Sequence, residues 1–489
     1  MECPVIVRRF FDVKLAQTSY LIACGKAGVG VVIDPNRDIE QYVEAAEAEG
    51  IRIASVTETH IHADFVSGAR ALAERTGATL YLSDEGEANW KYAFAKAAGA
   101  VLVRDGDEFG VGNIRVQVIH TPGHTPEHVS FLITDRAAAA EPIGIVTGDF
   151  VFVGDVGRPD LLERAANLEG TMRTAARSLF ASLNKFKNYP DWLQIWPGHG
   201  AGSACGKGLS SVPHSTVGYE KRFSWAFSIT DEETFVDAVL DGQPEPPKYF
   251  ANMKRVNKLG VPAFDFGAVP PRAGIAAIRQ ALKSGVPVVD ARLADAFAAG
   301  HIPGTINIPL NKSFNTWAGW FIPYDAPFLL IAADADAVTA TVRDLAMIGL
   351  DRVAGAAHRD VLDAWTADGG ALDTIPQILA AELAERLRNG SVTVLDVRGR
   401  AEWEAGHIPG VANVPVGLLR DRFAEVPRNG TVVLQCQGGG RSSIGASVLR
   451  ALGIRDVVNL SGGFREWAAC ELPVELALTP ASAVTAGTK

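Results

Sequence analysis

The sequence predicts a multidomain α/β protein, and three observations carry the prediction. Short apolar strands alternate with helical stretches from the start of the chain to about residue 240. Pro-rich DGQPEPPKYF and turn-rich FGAVPPRAG then break the pattern, with a short helix expected at YFANMKRVNKLG between them. Beyond them the chain repeats itself: VVDARLADAFAAGHIPGTINIP at 288–309 returns as VLDVRGRAEWEAGHIPGVANVP at 394–415. Asp290 answers to Asp396 and His301 to His407 at one constant offset. Two copies of one α/β module are therefore expected at 269–372 and 373–475. They follow a first domain at 1–245 and a linker at 246–268. The end of the chain, LTPASAVTAGTK, reads as a flexible tail from residue 476.

Taken in order, the elements of the first domain put polar residues at strand ends. The opening stretch MECPVIVRRFFDVKLAQ reads as strand, because Asp12 and Lys14 interrupt any signal-like apolar core. SYLIACG and VGVVIDP are paired strands. IEQYVEAAEAEG has helical spacing and a Gly stop, and IRIASVTET is a strand running into THIHADF. EFGVGNIRVQVIHTPG, VSFLIT and IGIVTGDFVF are further short strands, and LQIWPGHG ends in another histidine. A sheet scaffold that carries a site on its loops accounts for this placement.

Composition bounds the function. At 489 residues, 47% hydrophobic and 21% charged, the chain has apolar material for roughly three cores. The net charge is -10 and no Lys/Arg block occurs, so nucleic acid and anionic membrane surfaces are not expected partners. No transmembrane run stands out. Cys3, Cys24, Cys205, Cys436 and Cys470 are scattered and form no C-x-x-C pair. That usage argues for a reducing compartment, here the cytoplasm, rather than a disulfide scaffold.

Four ligand-type clusters belong together: His60-x-His62-x-Asp64, His124 in HTPGHTPEH, Asp149 in TGDFVF and His199 in WPGHG. Each follows an apolar strand, which makes a metal site a better account than isolated structural histidines. His60, His124 and Asp149 offer two imidazoles and one carboxylate, a set that suits non-heme Fe(II) because positions stay open for substrate and O2. Adding His62 gives a set better suited to zinc hydrolysis. Spacing alone does not choose between them.

The order T-H-x-H-x-D, G-H-T, T-G-D, G-H-G resembles the metallo-β-lactamase superfamily over about the first 240 residues. The resemblance implies an αββα sandwich with the site on one edge, and makes Asp34 in VVIDP a supporting residue. It also implies that binuclear relatives carry a histidine where this chain has Phe65. The first metal position keeps its ligands; the second keeps Asp64 and His199 but loses one. The single-metal pattern is similar to persulfide dioxygenases, which implies one Fe(II) per chain on His60, His124 and Asp149. His62, Asp64 and His199 then stand behind the metal. GDVGRPDL, GSACGKG and TVGYEKRF resemble the same branch. They imply Arg158 as a clamp for a glutathione-type carboxylate, with Lys207, Tyr219 and Arg222 helping to hold substrate. Cys205 is expected to be a small buried hydrophobe rather than a reactive thiol.

The second repeat holds TVVLQCQGGGRSSIGASVLRALGI. An apolar strand ends at Cys436, then Gln437, Gly438, Gly439 and Gly440 precede Arg441 and a helical pattern. Such a glycine run turns backbone N–H groups inward as an anion nest, and the helix N-terminus adds positive potential. Both favour a thiolate and then a persulfide. With the upstream D-V-R and G-H-I-P-G segments, residues ~375–475 resemble the rhodanese family. The resemblance implies Cys436 as nucleophile and sulfur carrier, Arg441 as the residue that orients the loop or the anionic donor, and Asp396 and Arg398 as structural. In the first repeat the cysteine position falls at about Ala333, no glycine nest follows, and Asp334 and Asp336 would repel an anion. That copy is expected to be inactive.

Together the resemblances imply a persulfide dioxygenase joined to one inactive and one active rhodanese module. The expected partners are a low-molecular-weight thiol persulfide, O2, and thiosulfate or sulfite. Self-association, common on this scaffold, is left open. The alternative is a zinc-dependent thioester hydrolase of the glyoxalase II type fused to the same modules. Phe65 argues against it.

Overall fold

The computed structural model describes residues 5–161, 163, 170–428 and 430–476. The chain forms two compact units. One is Met1–Ala268 with Arg343–Asp351; the other is Val269–Val342 with Arg352–Lys489. The segment expected as a linker therefore groups with the first unit, and both repeats share the second. Arg343–Asp351, inside the expected 269–372 domain, also groups with the first unit. Past Leu476, the expected tail lies outside the described residues. No helix among the described residues is long and apolar enough to cross a membrane.

Two six-stranded sheets build the first unit. In order across the first lie Val5–Asp12, Gln17–Cys24, Val29–Ile33, Arg52–Thr57, Thr79–Ser83 and Val101–Val103. The second runs Ser215–Thr216, Gln194–Pro197, Gly144–Gly148, Val129–Asp135, Ile114–His120 and Glu108–Val111. Side chains alternate across a strand, so one strand feeds two cores. Tyr20, Ile22, Val31 and Ile33 meet Val116, Phe131 and Val146 between the sheets. Leu21, Ala23 and Val32 turn the other way, onto Tyr42 and Ala46 of helix Glu40–Ala48 and Leu72 of helix Ala69–Thr76. On the far side, Leu132 and Ile145 pack on Leu179 and Leu183 of helix Met172–Phe186. The layers are helix, sheet, sheet, helix.

This arrangement places the polar loops. Val29–Ile33 runs parallel to Arg52–Thr57, and Gly144–Gly148 runs parallel to Gln194–Pro197. Within each sheet the carboxyl ends therefore emerge on one edge. Asp34 and the Thr59-His60 turn follow the first pair; Asp149 and His199 follow the second.

The second unit holds two all-parallel sheets. One is ordered Ile306–Asn307, Val288–Asp290, Phe328–Ala332, Val353–His358. The other is ordered Gln377–Ile378, Val457–Leu460, Thr431–Gln435, Val392–Asp396, Ala412–Asn413. Their structure explains the repeated motifs. In both copies a buried Asp pairs with the Arg two residues on, Asp290 with Arg292 and Asp396 with Arg398, each at 2.7 Å. Each Arg also donates to the carbonyl of the glycine in G-H-I-P-G, Gly300 or Gly406. His301 stacks on Phe297 and His407 on Trp403, with ring centroids 3.8 Å apart in each case. These residues hold the modules together, as expected for Asp396 and Arg398.

Candidate metal centre and sulfur-transfer loop

Strand ends in the first unit gather two sets of buried ligand atoms. His60, His124 and Asp149 offer atoms within 4.8 Å of one another, and so do Asp64, His199 and Cys205. Asp149 lies between the sets. Its Oδ2 is 3.5 Å from His124 Nε2 and 3.9 Å from His60 Nε2, while its Oδ1 is 3.4 Å from His199 Nε2.

Hydrogen bonds fix which nitrogen of each imidazole can accept a metal. Thr59 Oγ1 donates to Asp34 Oδ2 and receives His60 Nδ1 at 2.9 Å. His124 Nδ1 donates to the Arg158 carbonyl at 3.0 Å, and His199 Nδ1 to the Ala16 carbonyl at 3.0 Å. In all three the Nε2 lone pair faces the carboxylates, the role that outer partners play around metal-binding histidines. Burial and the neighbouring imidazoles hold His60 well below the usual histidine range. Burial also lowers His124, with Asp149 opposing. Asp149 is buried, yet attraction from His199 and His124 keeps its carboxyl below the ordinary range.

His62 stands apart. Its Nε2 lies 3.1 Å from Asp34 Oδ1, and it belongs to neither ligand set. Burial pulls its pKa down, but Asp34, Glu58 and Asp64 raise it to about 9. Phe65, 1% exposed, lies against the His62 ring with centroids 4.4 Å apart.

The residues present fit a divalent cation. Both carboxylate oxygens of Asp149 and of Asp64 are buried without a well-formed hydrogen bond. Unsatisfied buried carboxylates are costly unless a cation or donor meets them, and the Nε2 atoms of His60, His124 and His199 face the same space.

Asp34 anchors this geometry from behind. It accepts from Thr59 N at 2.6 Å and adopts a left-handed backbone, φ 54°. Asp34→Asn is expected to retain the fold but weaken metal binding by about 10–100-fold, measured by chelator competition. Unchanged affinity would remove Asp34 from the support of His60.

The structure gives several expected substrate residues other partners. Arg158 is fully buried, its guanidinium forked onto Asp160 at 2.6 and 2.7 Å and donating to the Ala204 and Pro244 carbonyls. Its side chain is a structural strut rather than a clamp at the surface; its carbonyl is what orients His124. Lys207 Nζ donates to the Ala238 and Asp241 carbonyls at 2.6 and 3.1 Å, closing the end of helix Glu232–Leu240. Tyr219 and Arg222 stand exposed on helix Val217–Phe223, Tyr219 against Phe223. Cys205 is buried as expected, but it lies beside Asp64 and His199 instead of in an apolar core. The sequence hint was its place in a Gly-rich loop six residues past His199.

In the second unit, Cys436 follows strand Thr431–Gln435 and is 2% exposed. Its Sγ accepts from Gly439 N at 3.2 Å and from Ser442 Oγ at 3.4 Å. Gly439, φ 93°, turns that N–H toward the sulfur, and helix Gly440–Ala451 starts immediately after. Arg441 is not free for a donor: its two terminal nitrogens grip Glu402 at 2.6 and 2.7 Å. It ties the start of helix Gly440–Ala451 to Glu402. Phe464 N and Arg465 N donate to the Cys436 and Gln437 carbonyls at 2.7 and 3.0 Å, a brace from the NLSGGFREW segment that sequence reasoning did not assign.

Strand register corrects the equivalent position in the first module. Asp290 pairs with Ile331 as Asp396 pairs with Gln435, so Ala332, not Ala333, answers to Cys436. Only Ala333 and Asp334 then separate strand from helix Ala335–Met347, and Asp334 Oδ1 accepts from Ala337 N at 2.8 Å. The connection is too short for a nest.

Residues 13–199 match the family model of the metallo-beta-lactamase superfamily, and residues 275–354 and 379–470 match that of the rhodanese-like domain. A crystal structure of a metallo-beta-lactamase from Staphylococcus aureus subsp. aureus COL is 43% identical, covering 73% of this chain and 99% of that one, with a TM-score of 0.68. The beta-lactamase hydrolase-like protein of Xylella fastidiosa (strain 9a5c) is 28% identical over 279 residues, 52% of this chain; the match spans only 60% of that relative's length. Persulfide dioxygenase ETHE1, mitochondrial, from Bos taurus is 25% identical over 201 residues, 40% of this chain and 68% of its own.

Proposed function

Because the chain belongs to the metallo-beta-lactamase superfamily and carries two rhodanese-like domains after that part of its sequence, we propose that it couples persulfide oxidation to sulfur transfer. In this reading a low-molecular-weight thiol persulfide, such as glutathione persulfide, is oxidised by O2 to sulfite and free thiol. Cys436 then exchanges sulfane sulfur with thiosulfate or sulfite.

The supporting observation is the three-ligand set. His60, His124 and Asp149 converge while His62 is held on Asp34. Two imidazoles and one carboxylate are the donor set of non-heme Fe(II) oxygenases. Bound there, Fe(II) would offer open positions to the persulfide sulfur and to O2. The chain's own residues do the rest: Thr59 and the Arg158 carbonyl fix the ring orientations, Asp149 supplies the compensating charge, and Phe65 walls one side with an apolar ring. At the second site Gly439 N and Ser442 Oγ would stabilise the Cys436 thiolate.

The zinc-hydrolase reading would add His62 to His60, His124 and Asp149, whereas His62 is held on Asp34. Metal analysis of protein isolated from its native source separates the two: iron favours the dioxygenase, zinc without iron the hydrolase.

The direct test is O2 uptake with sulfite quantified, on adding glutathione persulfide to the full chain loaded anaerobically with iron. Matching uptake and sulfite are expected. His124→Ala should lose more than about 100-fold, since even outer-shell changes at metal sites cost 10–100-fold. Cys436→Ser should retain uptake. No uptake with either glutathione or coenzyme A persulfide in iron-loaded protein would overturn the reading.

A further inference from the structure

We propose that Arg465 is the donor-binding residue of the Cys436 site, receiving the oxygens of thiosulfate and of departing sulfite. The inference rests on the sulfur-transfer reading above and deepens it.

Among the described residues, Arg398, Arg441 and Arg465 stand beside the loop, and the first two are committed. Arg398 is buried on Asp396, with further bonds to the Gly406 carbonyl and Gln437. Arg441 is forked onto Glu402. Arg465 differs. Its backbone N–H is bonded to the Gln437 carbonyl, so its Cα is fixed beside the loop. Its side chain is exposed, and its Nη2 lies 3.8 Å from where a Cβ on Gly438 would stand. Among the described residues no carboxylate is paired with it. A planar fork of N–H donors with no internal counter-ion, held against the glycines that line the nucleophile, suits a small oxyanion.

The chemistry needs such a group. The Cys436 thiolate attacks the outer sulfur of thiosulfate, a Cys436 S–S bond forms, and the S–S bond of thiosulfate breaks. The electron pair leaves with sulfite, so no outside oxidant or reductant is required. Thiosulfate arrives as a dianion at a thiolate and sulfite leaves as an anion beside the Cys436 persulfide anion, and Arg465 offsets both repulsions.

Two measurements on the full chain test the assignment. In steady-state transfer from thiosulfate to a thiol, Arg465→Ala should raise KM for thiosulfate about tenfold, with kcat held within about twofold, as expected for losing one charge-assisted contact. Arg465→Lys should recover part of the loss. Independently, the ratio of Cys436 alkylation rates by anionic iodoacetate and neutral iodoacetamide should fall in Arg465→Ala. An unchanged KM and ratio would overturn the proposal. So would an equal loss of both alkylation rates, which marks loop collapse. If wild-type Cys436 accepts no sulfur from thiosulfate, the sulfur-transfer reading fails, and the alkylation ratio alone decides whether Arg465 attracts anions to the cysteine.

Discussion

Gly157→Ala is expected to abolish metal binding and, under the proposed function, persulfide oxidation, while leaving the proposed sulfur transfer at Cys436 intact. A Cβ at Gly157 would stand 1.7 Å from the Asp149 carbonyl oxygen and 3.2 Å from His124 Cβ. Neither can yield cheaply. Gly157 N is bonded to the Phe150 carbonyl at 3.2 Å, which ties the 149–157 turn shut, and the carbonyl of the adjoining Arg158 orients His124. Ordinary overpacking costs about 1–3 kcal/mol; a clash with backbone exceeds that and falls on two ligands together. Metal content by elemental analysis, with O2 uptake alongside, reads the result. A variant that binds metal normally would show that the turn can open without moving Asp149.

The mirror experiment is Gly463→Ala. Its Cβ would lie 2.1 Å from the Cys436 carbonyl oxygen and 2.8 Å from Gly438 N, at a residue whose φ of 59° already disfavours a side chain. The brace from Phe464 N and Arg465 N onto the loop would part. Sulfur loading of Cys436 from thiosulfate, followed by mass spectrometry, should fall more than about 100-fold, while metal content and O2 uptake stay at wild-type levels; misplacing a reacting group by about 1 Å costs roughly that much. Loss of both activities would indicate unfolding, which thermal melting would reveal. Retention of both would show that the loop holds its shape unaided. The two glycine variants together separate the two proposed chemistries without substituting a ligand or the nucleophile.

Both glycines lie in marked stretches, GDVGRPDL and NLSGGFREW, but neither was given a role there. GDVGRPDL drew attention to Arg158, because an arginine beside an expected substrate site suggests a clamp. The fold buries that guanidinium on Asp160 and gives the turn beside Asp149 its glycine instead. Arg441 was similarly legible as a loop residue, but its partner Glu402 lies 39 positions away, and only folding brings them together. Arg465 lies in NLSGGFREW, a stretch similar to the rhodanese family, but nothing in that motif gave it a role.

The sequence by itself determined an α/β chain, the repeated module, the candidate ligand types and the missing cysteine of the first copy; the αββα layers came only as what the family resemblance implied. These are written in local terms: alternation along strands, a recurring D-x-R and G-H-I-P-G, histidines just past apolar runs. Tertiary structure decided which of those residues meet. It turned His62 onto Asp34, set Cys205 beside Asp64 and His199, and moved the cysteine-equivalent position from Ala333 to Ala332 by strand register. Spacing along the chain fixes what a residue can do. The partner that satisfies its buried charge or hydrogen bond comes from a distant loop, and that choice appears only once the sheets are packed.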